Sequence, residues 1–309
     1  TTGMRVSDSG GNIPANSFVG VISNNTTFNL TNSTGASQHL ATADASSLTL
    51  TFTGGLISNN VAVGYNAGIN VTTGVKNTII GNSAGIALTS GQENTVLGYN
   101  ALALEDTHGR NVAIGNDTLA NLNASTEAHC VAVGYGAGYA LTGGKHNTIV
   151  GSSAGDGLTT GEQNVAVGFA ALGAPKAGSG NTAIGYQALT IQADASSAGS
   201  VRDNTAVGFS AGAGVTTGTN NALLGAKAGI KLTTGANSTI IGYNAGKETL
   251  TGGNNTFIGA GAAAANVGGL NNIAIGKDAD FGGANFSNAI VIGTGATQNL
   301  GSNTTEIGT

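Results

Sequence analysis

A short motif recurs from Asn60 almost to the end of the 309-residue chain and constrains its fold more than any other feature. The segment 181–185 (Asn-Thr-Ala-Ile-Gly) is a typical copy. Alignment of the copies on the final glycine gives 14 spacings, of which 11 equal 17 residues and the others are 19, 23 and 15. A fixed period of this length is typical of a solenoid. The aligned glycines are Gly64, Gly81, Gly98, Gly115, Gly134, Gly151, Gly168, Gly185, Gly208, Gly225, Gly242, Gly259, Gly276, Gly293 and Gly308.

The motif itself predicts a short strand. We number each repeat from its Asn, so that the glycine is position 5. Positions 2 to 4 are rich in β-branched residues, and glycine ends them. Strand side chains alternate in direction, so positions 2 and 4 share one face. We expect that face inside the coil, and the apolar position 3 outside, where further copies of the chain would cover it.

The rest of the repeat predicts a second strand and two turns. Position 8 is nearly always Ala, which indicates a slot for a small side chain. Position 12 is often Leu or Val, followed by Thr-Thr-Gly, as in 71–74 and 158–161. One coil is then strand, turn, strand, turn. The fold class we expect is all-β, a parallel β-roll or β-solenoid of about 15 coils, with a rod length of roughly 70 Å at about 4.8 Å per coil.

Polar side chains also recur in register. The Asn at position 1 either forms a hydrogen-bonded ladder between coils or reflects only the turn preference of Asn; the sequence leaves both open. Opposite charges on neighbouring strands add modest stability and help to set the register. Three sets of charges fall one above another: Lys76, Glu93 and Arg110; Lys145 and Glu162; and Lys231 and Glu248.

The composition narrows the function classes. The net charge is −5, which argues against a nucleic-acid partner. No stretch approaches the roughly 20 apolar residues of a membrane-spanning helix. The single cysteine, Cys130, occupies an Asn slot, and we expect a buried structural thiol rather than a nucleophile.

Two regions are expected along the chain. Residues 1–55 do not fit the repeat, and their short alternating segments predict a small antiparallel β module. Residues 56–309 form the repeat shaft. Two segments interrupt its rhythm, 119–129 and 191–203, and insertions of this kind leave a solenoid as surface loops.

Candidate binding residues lie in those loops and in one aromatic row. Loop residues are often functional when a rigid scaffold holds them. From Tyr65 to Tyr135, position 6 carries aromatic residues on alternate coils, about 10 Å apart, and Phe169, Tyr186 and Phe209 follow on successive coils. These rings either stack on sugars or cover their small neighbours, and the second interpretation is favoured. The candidate receptor contacts are Glu127, His129, Asp194, Arg202, Asp203, Tyr65, Tyr99 and Tyr135.

The residues that could carry chemistry are few. His129 and His146 occupy equivalent slots, yet no convincing ligand set surrounds them, so no metal is expected. Glycoside hydrolysis needs two carboxylates facing one groove, and the adjacent pairs Glu105–Asp106 and Asp278/Asp280 fall in turns. We therefore predict no catalytic residues, no cofactor and no enzyme activity, while a depolymerase site between subunits stays an alternative.

The repeats at 181–188 (Asn-Thr-Ala-Ile-Gly-Tyr-Gln-Ala) and 60–67 (Asn-Val-Ala-Val-Gly-Tyr-Asn-Ala) carry a resemblance. They resemble the left-handed parallel β-roll heads of trimeric autotransporter adhesins and the shafts of phage tail fibres and tail spikes. Segments such as 3–6 (Gly-Met-Arg-Val) resemble β modules of phage virion proteins, which favours the second group. The resemblance implies a homotrimer and, beyond this chain, a trimerising segment that cleaves itself off, so we expect the gene to continue past Thr309.

The function expected from the sequence is structural and adhesive. The chain would be the shaft of a phage tail fibre or tail spike, located on the virion tail. Its partners would be two further copies of itself, other virion proteins, and a glycan or protein receptor on a bacterial surface. The alternatives are a bacterial trimeric adhesin head, located on the cell surface, and a fibre-borne polysaccharide depolymerase.

Overall fold

A computed structural model of the chain describes residues 59–173, 177–191, 202–299 and 301–308, together with two short strands nearer the N-terminus. The chain is a parallel β-solenoid, as the period predicts. Fifteen strands form one parallel sheet in sequence order, and each pairs with the strand of the next coil. The register is regular: Thr78 pairs with Thr95, and Ile80 with Leu97, 17 residues further on.

The strands are short and nearly identical in length. In chain order they are β1 Phe28–Leu30, β2 Leu50–Phe52, β3 Val61–Val63, β4 Thr78–Ile80, β5 Thr95–Leu97, β6 Val112–Ile114, β7 Val131–Val133, β8 Thr148–Val150, β9 Val165–Val167, β10 Thr182–Ile184, β11 Thr205–Val207, β12 Ala222–Leu224, β13 Thr239–Ile241, β14 Thr256–Ile258, β15 Ile273–Ile275, β16 Asp280–Phe281, β17 Ile290–Ile292, β18 Thr297–Gln298 and β19 Thr305–Ile307. The long sheet runs from β3 to β19 without β16 and β18, which pair with each other.

The predicted direction of the strand side chains is wrong. Position 3 is buried in the coil in every strand of the long sheet except the last, as at Ile79, Ala166 and Phe257. Positions 2 and 4 point outwards and are half-buried or exposed. The reason is space: a coil with one three-residue strand encloses a narrow core. Position 3, which is Ala in seven of the fifteen strands whereas position 4 is always Val, Ile or Leu, fills that core together with the buried alanines of position 8.

The predicted second strand at position 12 is also wrong for the described coils. The last coils do carry a second pair of short strands, β16 and β18, but these lie at positions 9 and 10. The position 12 side chains do enter the core, as Leu88 and Leu141 show. The backbone that follows does not form a ladder. The N–H groups of Thr72, Thr73 and Gly74 converge on a single acceptor, the Thr89 carbonyl of the next coil.

The Asn residues of position 1 form a buried ladder, which decides between the two interpretations that the sequence left open. Asn164 shows the pattern: its N–H donates to Asn147 Oδ1 at 3.0 Å, and its Nδ2 donates to the Gly178 carbonyl of its own coil at 3.0 Å. Its Oδ1 accepts the N–H of Asn181 at 2.9 Å. Each side chain thus joins two coils and closes its own, so it satisfies polar groups that burial would otherwise leave unpaired.

Two of the three predicted charge sets are confirmed. Glu93 lies between Lys76 and Arg110, with a nitrogen of each 3.0 Å from one of its oxygens. Lys231 and Glu248 also pair, at 2.6 Å. The third set, Lys145 over Glu162, is not among the ion pairs that the described residues form.

The glycines of position 5 permit the close stacking. At Gly168 the backbone has φ of +129°, and an added Cβ would lie 2.6 Å from the carbonyl oxygen of Gly185 in the next coil. A side chain at this slot would push the coils apart, so the recurring glycine is a requirement of the stack.

The segment before residue 59 is described only at β1 and β2, which pair in parallel with Phe28 opposite Leu50. The remainder of that segment lies outside the described residues, so the antiparallel module and its boundary stay predictions. Within the described ranges, no helix has the length and apolar character needed to cross a bilayer.

Candidate functional site

The outward face of the long sheet is an apolar surface that runs the length of the solenoid. Position 4 contributes only Val, Ile or Leu from Val63 to Ile307. These residues are half-buried or exposed; Leu224, for example, is 48% exposed. A contiguous apolar strip of this kind is unusual on the surface of a monomeric soluble protein.

An aromatic row lies beside this face, where each strand ends. The rings of position 6 range from 45% exposed at Tyr186 to 73% at Tyr65, so packing on small neighbours does not bury them. Three of them, on consecutive coils, form a continuous stack. The centroids of Phe169 and Tyr186 are 5.3 Å apart, and those of Tyr186 and Phe209 5.2 Å, with interplanar angles of 15° and 7°. The predicted Tyr65, Tyr99 and Tyr135 all belong to this exposed row.

The first insertion, 119–129, protrudes less than expected. Leu119, Leu122 and Ala124 enter the core, and Ser125 and Thr126 are exposed. Two of the predicted contact residues lie here. Glu127 is partly buried and accepts the N–H of Gly109 at 2.9 Å. His129 is exposed and packs its ring on His146, with centroids 5.6 Å apart.

Glu105 fastens that insertion, a role that sequence reasoning missed. It occupies position 12, where neighbouring coils place Leu, and its side chain is fully buried. Its Oε1 accepts the N–H of His108 at 3.0 Å, and its Oε2 accepts the N–H of Ala124 at 3.1 Å. The sequence signal for this role is a glutamate at a core position next to a break in the 17-residue period.

The second insertion is described only at its ends. Asp194 lies outside the described residues. Arg202 is buried and donates from Nη1 to the Thr217 carbonyl at 2.8 Å, which gives it a structural role. Asp203 is exposed at position 17.

The side chains that could bind a metal or take part in catalysis already form hydrogen bonds or are buried within the protein. Glu105, Asp106 and His108 bring potential metal-ligand atoms within 4.8 Å of one another, but the Glu105 oxygens already accept backbone N–H groups. Asp280 accepts the N–H of Ala265 at 3.1 Å, and partial burial raises its pKa. Burial likewise raises the pKa of the Cys130 thiol, as expected for a structural cysteine.

These observations define a class: the chain is a parallel β-solenoid with one strand per coil over most of its length, an apolar sheet face and an exposed aromatic row. No known family model and no curated protein matches the sequence.

Proposed function

We propose that the chain is the structural and adhesive shaft of a phage tail fibre or tail spike. It acts on the virion tail as a homotrimer, with other virion proteins and a bacterial surface glycan or protein as its partners. It holds the receptor-binding surface away from the particle and carries no chemistry of its own.

The observation that carries the proposal is the apolar outward column of position 4. In a single chain, water would contact this column along the whole rod, at an unfavourable free energy of about 25 cal/mol per Å² of apolar surface. Copies of the same chain related by one rotation axis would bury the same strip on every subunit. The buried Asn ladder supports a load-resisting rod, because its rungs hydrogen-bond successive coils to each other along most of the solenoid.

A bacterial trimeric adhesin head is the second candidate, because the same repeat and the same apolar face would serve it equally well. Antibodies against the purified chain separate the two. Immunogold electron microscopy should label phage tails and leave uninfected host cells unlabelled. Labelling of cell surfaces in a culture free of phage would favour the adhesin and contradict the proposal.

The adhesive part has its own test. The purified, fluorescently labelled chain should adsorb to cells of some strains in a bacterial panel, and adsorption should saturate. The same incubations should release no reducing sugar from cell-surface polysaccharide, which distinguishes an adhesin from a depolymerase. Adsorption to no strain would contradict the adhesive role.

A further inference from the structure

A cavity of about 350 Å³ opens on the turns that follow the sheet, apart from the apolar sheet face. Three successive coils build it from positions 6, 7 and 10 of the repeat. Its lining consists of Asp117, Tyr135, Gly136, Tyr139, Ser153 and Asp156. The volume is at the lower end of the range for small-molecule sites, and the lining combines two aromatic rings with two carboxylates and a hydroxyl.

The cavity exists because one side chain is missing. The backbone at position 7 is left-handed, and Asn66, Asn100 and Asn244 hold it with φ of 54–56°. Gly136 has the same conformation, with φ of +62°, and an added Cβ there would meet no atom within 4 Å. Unlike the glycines of position 5, Gly136 is not required for close stacking of the coils. Its lack of a side chain leaves the cavity open.

Two tyrosines of the same coil line the cavity together with Gly136. Tyr135 is 63% exposed and Tyr139 is 47% exposed, so both present ring surface to the solvent. Rings of this kind offer a large apolar face with a polar tip. A ligand seated at Gly136 would contact both.

Carboxylates flank the tyrosines on the coils on either side. Asp117 Oδ1 accepts the Asn100 side-chain amide at 2.9 Å. Asp156 is partly buried; this raises its pKa, while the nearby Ser153 hydroxyl and the Gly157 N–H favour the ionised form. Neither aspartate is among the ion pairs of the described residues, and no Lys or Arg lines the cavity. The cavity therefore offers acceptors to a ligand that donates hydrogen bonds.

The geometry points to a subsite for one neutral or amino hexose, and we propose that this cavity binds such a sugar. The apolar C–H face of a pyranose would lie on the tyrosine rings, and its hydroxyls would donate charge-assisted hydrogen bonds to the two carboxylates. The carboxylates belong to coils separated by about 10 Å along the rod. A lone ammonium group forms hydrogen bonds of about 2.8 Å each. It is therefore too small to contact both carboxylates across that distance.

The charge of the cavity also sets its specificity. An acidic sugar would bring a third carboxylate next to Asp117 and Asp156 in a site without a cation, so uronic and sialic acids should be rejected. This inference deepens the adhesive part of the proposed function and rests on it for the source of the sugar, a glycan on a bacterial surface.

The test measures sugar binding to the full chain by saturation-transfer NMR and calorimetry. The probes are glucose, galactose, N-acetylglucosamine and glucosamine, with glucuronic acid and sialic acid as acidic sugars and tetramethylammonium as a cation. At least one neutral or amino sugar should bind, and neither acidic sugar should. Binding of no sugar, of the acidic sugars, or of tetramethylammonium alone would overturn the proposal.

A variant that fills the cavity locates the site. Gly136→Asn places in the slot the residue that other coils carry there, and should weaken sugar binding about tenfold or more. Gly295→Asn is the matched control, because Gly295 holds the same slot with φ of +68° and an added Cβ there would also meet no atom within 4 Å. Both variants should melt at the temperature of the unmodified chain. Undiminished binding by Gly136→Asn would overturn the proposal.

Cell adsorption separates this inference from the proposed function. Gly136→Asn should adsorb less to the strain that the unmodified chain binds, and Gly295→Asn should adsorb normally. Normal adsorption by Gly136→Asn would overturn the cavity as the receptor site while leaving the adhesive function in place. Failure of the unmodified chain to adsorb to any strain counts against the adhesive function, and the sugar measurements still decide the cavity.

Discussion

The side chain of Asn77 accepts the backbone N–H of Asn94, 2.9 Å away and one coil further along the rod. The same bond recurs along the solenoid and lies in its interior. Because water cannot replace a buried partner, each rung of this ladder contributes more to stability than an exposed hydrogen bond does.

Loss of one rung should therefore destabilise the chain strongly. Asn164→Ala leaves the Asn181 N–H and the Gly178 carbonyl without their partners, and we expect a loss of about 2–5 kcal/mol in the free energy of unfolding. Asn164→Ser should cost less, since Ser238 holds a rung in the native chain by accepting the N–H of Asn255 at 3.2 Å. Denaturant titration measures both.

Asn82→Ala is the control for that series. Asn82 is exposed and bonds to the neighbouring Ser83 hydroxyl, so its replacement should change stability by less than about 0.5 kcal/mol. Equal losses for Asn82→Ala and Asn164→Ala would show that the buried ladder has no special role.

The glycine of position 5 should be irreplaceable. Gly168→Val should cost more than about 3 kcal/mol, or prevent folding, because the new side chain meets the Gly185 carbonyl and the backbone conformation disfavours any Cβ. Gly143→Ala should be neutral or slightly stabilising, since an added Cβ there meets no atom within 4 Å. Thermal melts compare them. Lys176, which would otherwise serve as a surface control, lies outside the described residues.

The charge stack gives a dependence on pH. The hydrogen bond from Lys76, and then the one from Arg110, hold the pKa of Glu93 below its usual value. A depressed carboxyl pKa means that its stabilisation is complete above the unfolded-state pKa and is lost as the pH falls through the folded-state value. Glu93→Gln should thus be less stable than the unmodified chain at neutral pH and equal to it in strong acid.

High salt should also reduce the difference in stability between Glu93→Gln and the unmodified chain, because the side chains of Lys76, Glu93 and Arg110 are exposed. Glu162→Gln is the matched control, as Glu162 is not in an ion pair among the described residues, and it should show neither dependence. Denaturant midpoints of both variants and the unmodified chain, measured at several pH values and salt concentrations, would show these dependences. An unchanged gap in acid would contradict the account of Glu93.

The repeat could be predicted because each coil presents the same slots again. The period, the strand at positions 2 to 4, the register, and the pairing of Glu93 with Lys76 follow directly from residues 17 apart. The Asn ladder was one of two open interpretations, since only burial separates it from a turn preference.

What the sequence could not supply is the width of the coil. Ile80 and Ile79 are equally apolar, and only the narrow interior places Ile79 inside and Ile80 outside. The Thr72-Thr73 pair is typical of a strand, yet its N–H groups share one carbonyl. The cavity at Gly136 was missed because a glycine at a turn position predicts a turn, and the two aspartates beside it come from other coils.

The apolar sheet face makes a prediction that a pair of variants can isolate. Leu224→Lys places a charge on the proposed subunit interface. Ile69→Lys places the same charge on a turn, at a residue that is 46% exposed, against 48% for Leu224. We expect the first to weaken the trimer and the second to leave it unchanged, because only the first charge would lose its water on assembly.

Multi-angle light scattering on the unmodified chain and the two variants at micromolar concentration most directly tests the central claim, that the chain forms a trimer through its apolar sheet face. The account predicts three times the chain mass for the unmodified protein and for Ile69→Lys, and smaller or aggregated species for Leu224→Lys. A stable, folded monomer of the unmodified chain, with its sheet face in water, would contradict it.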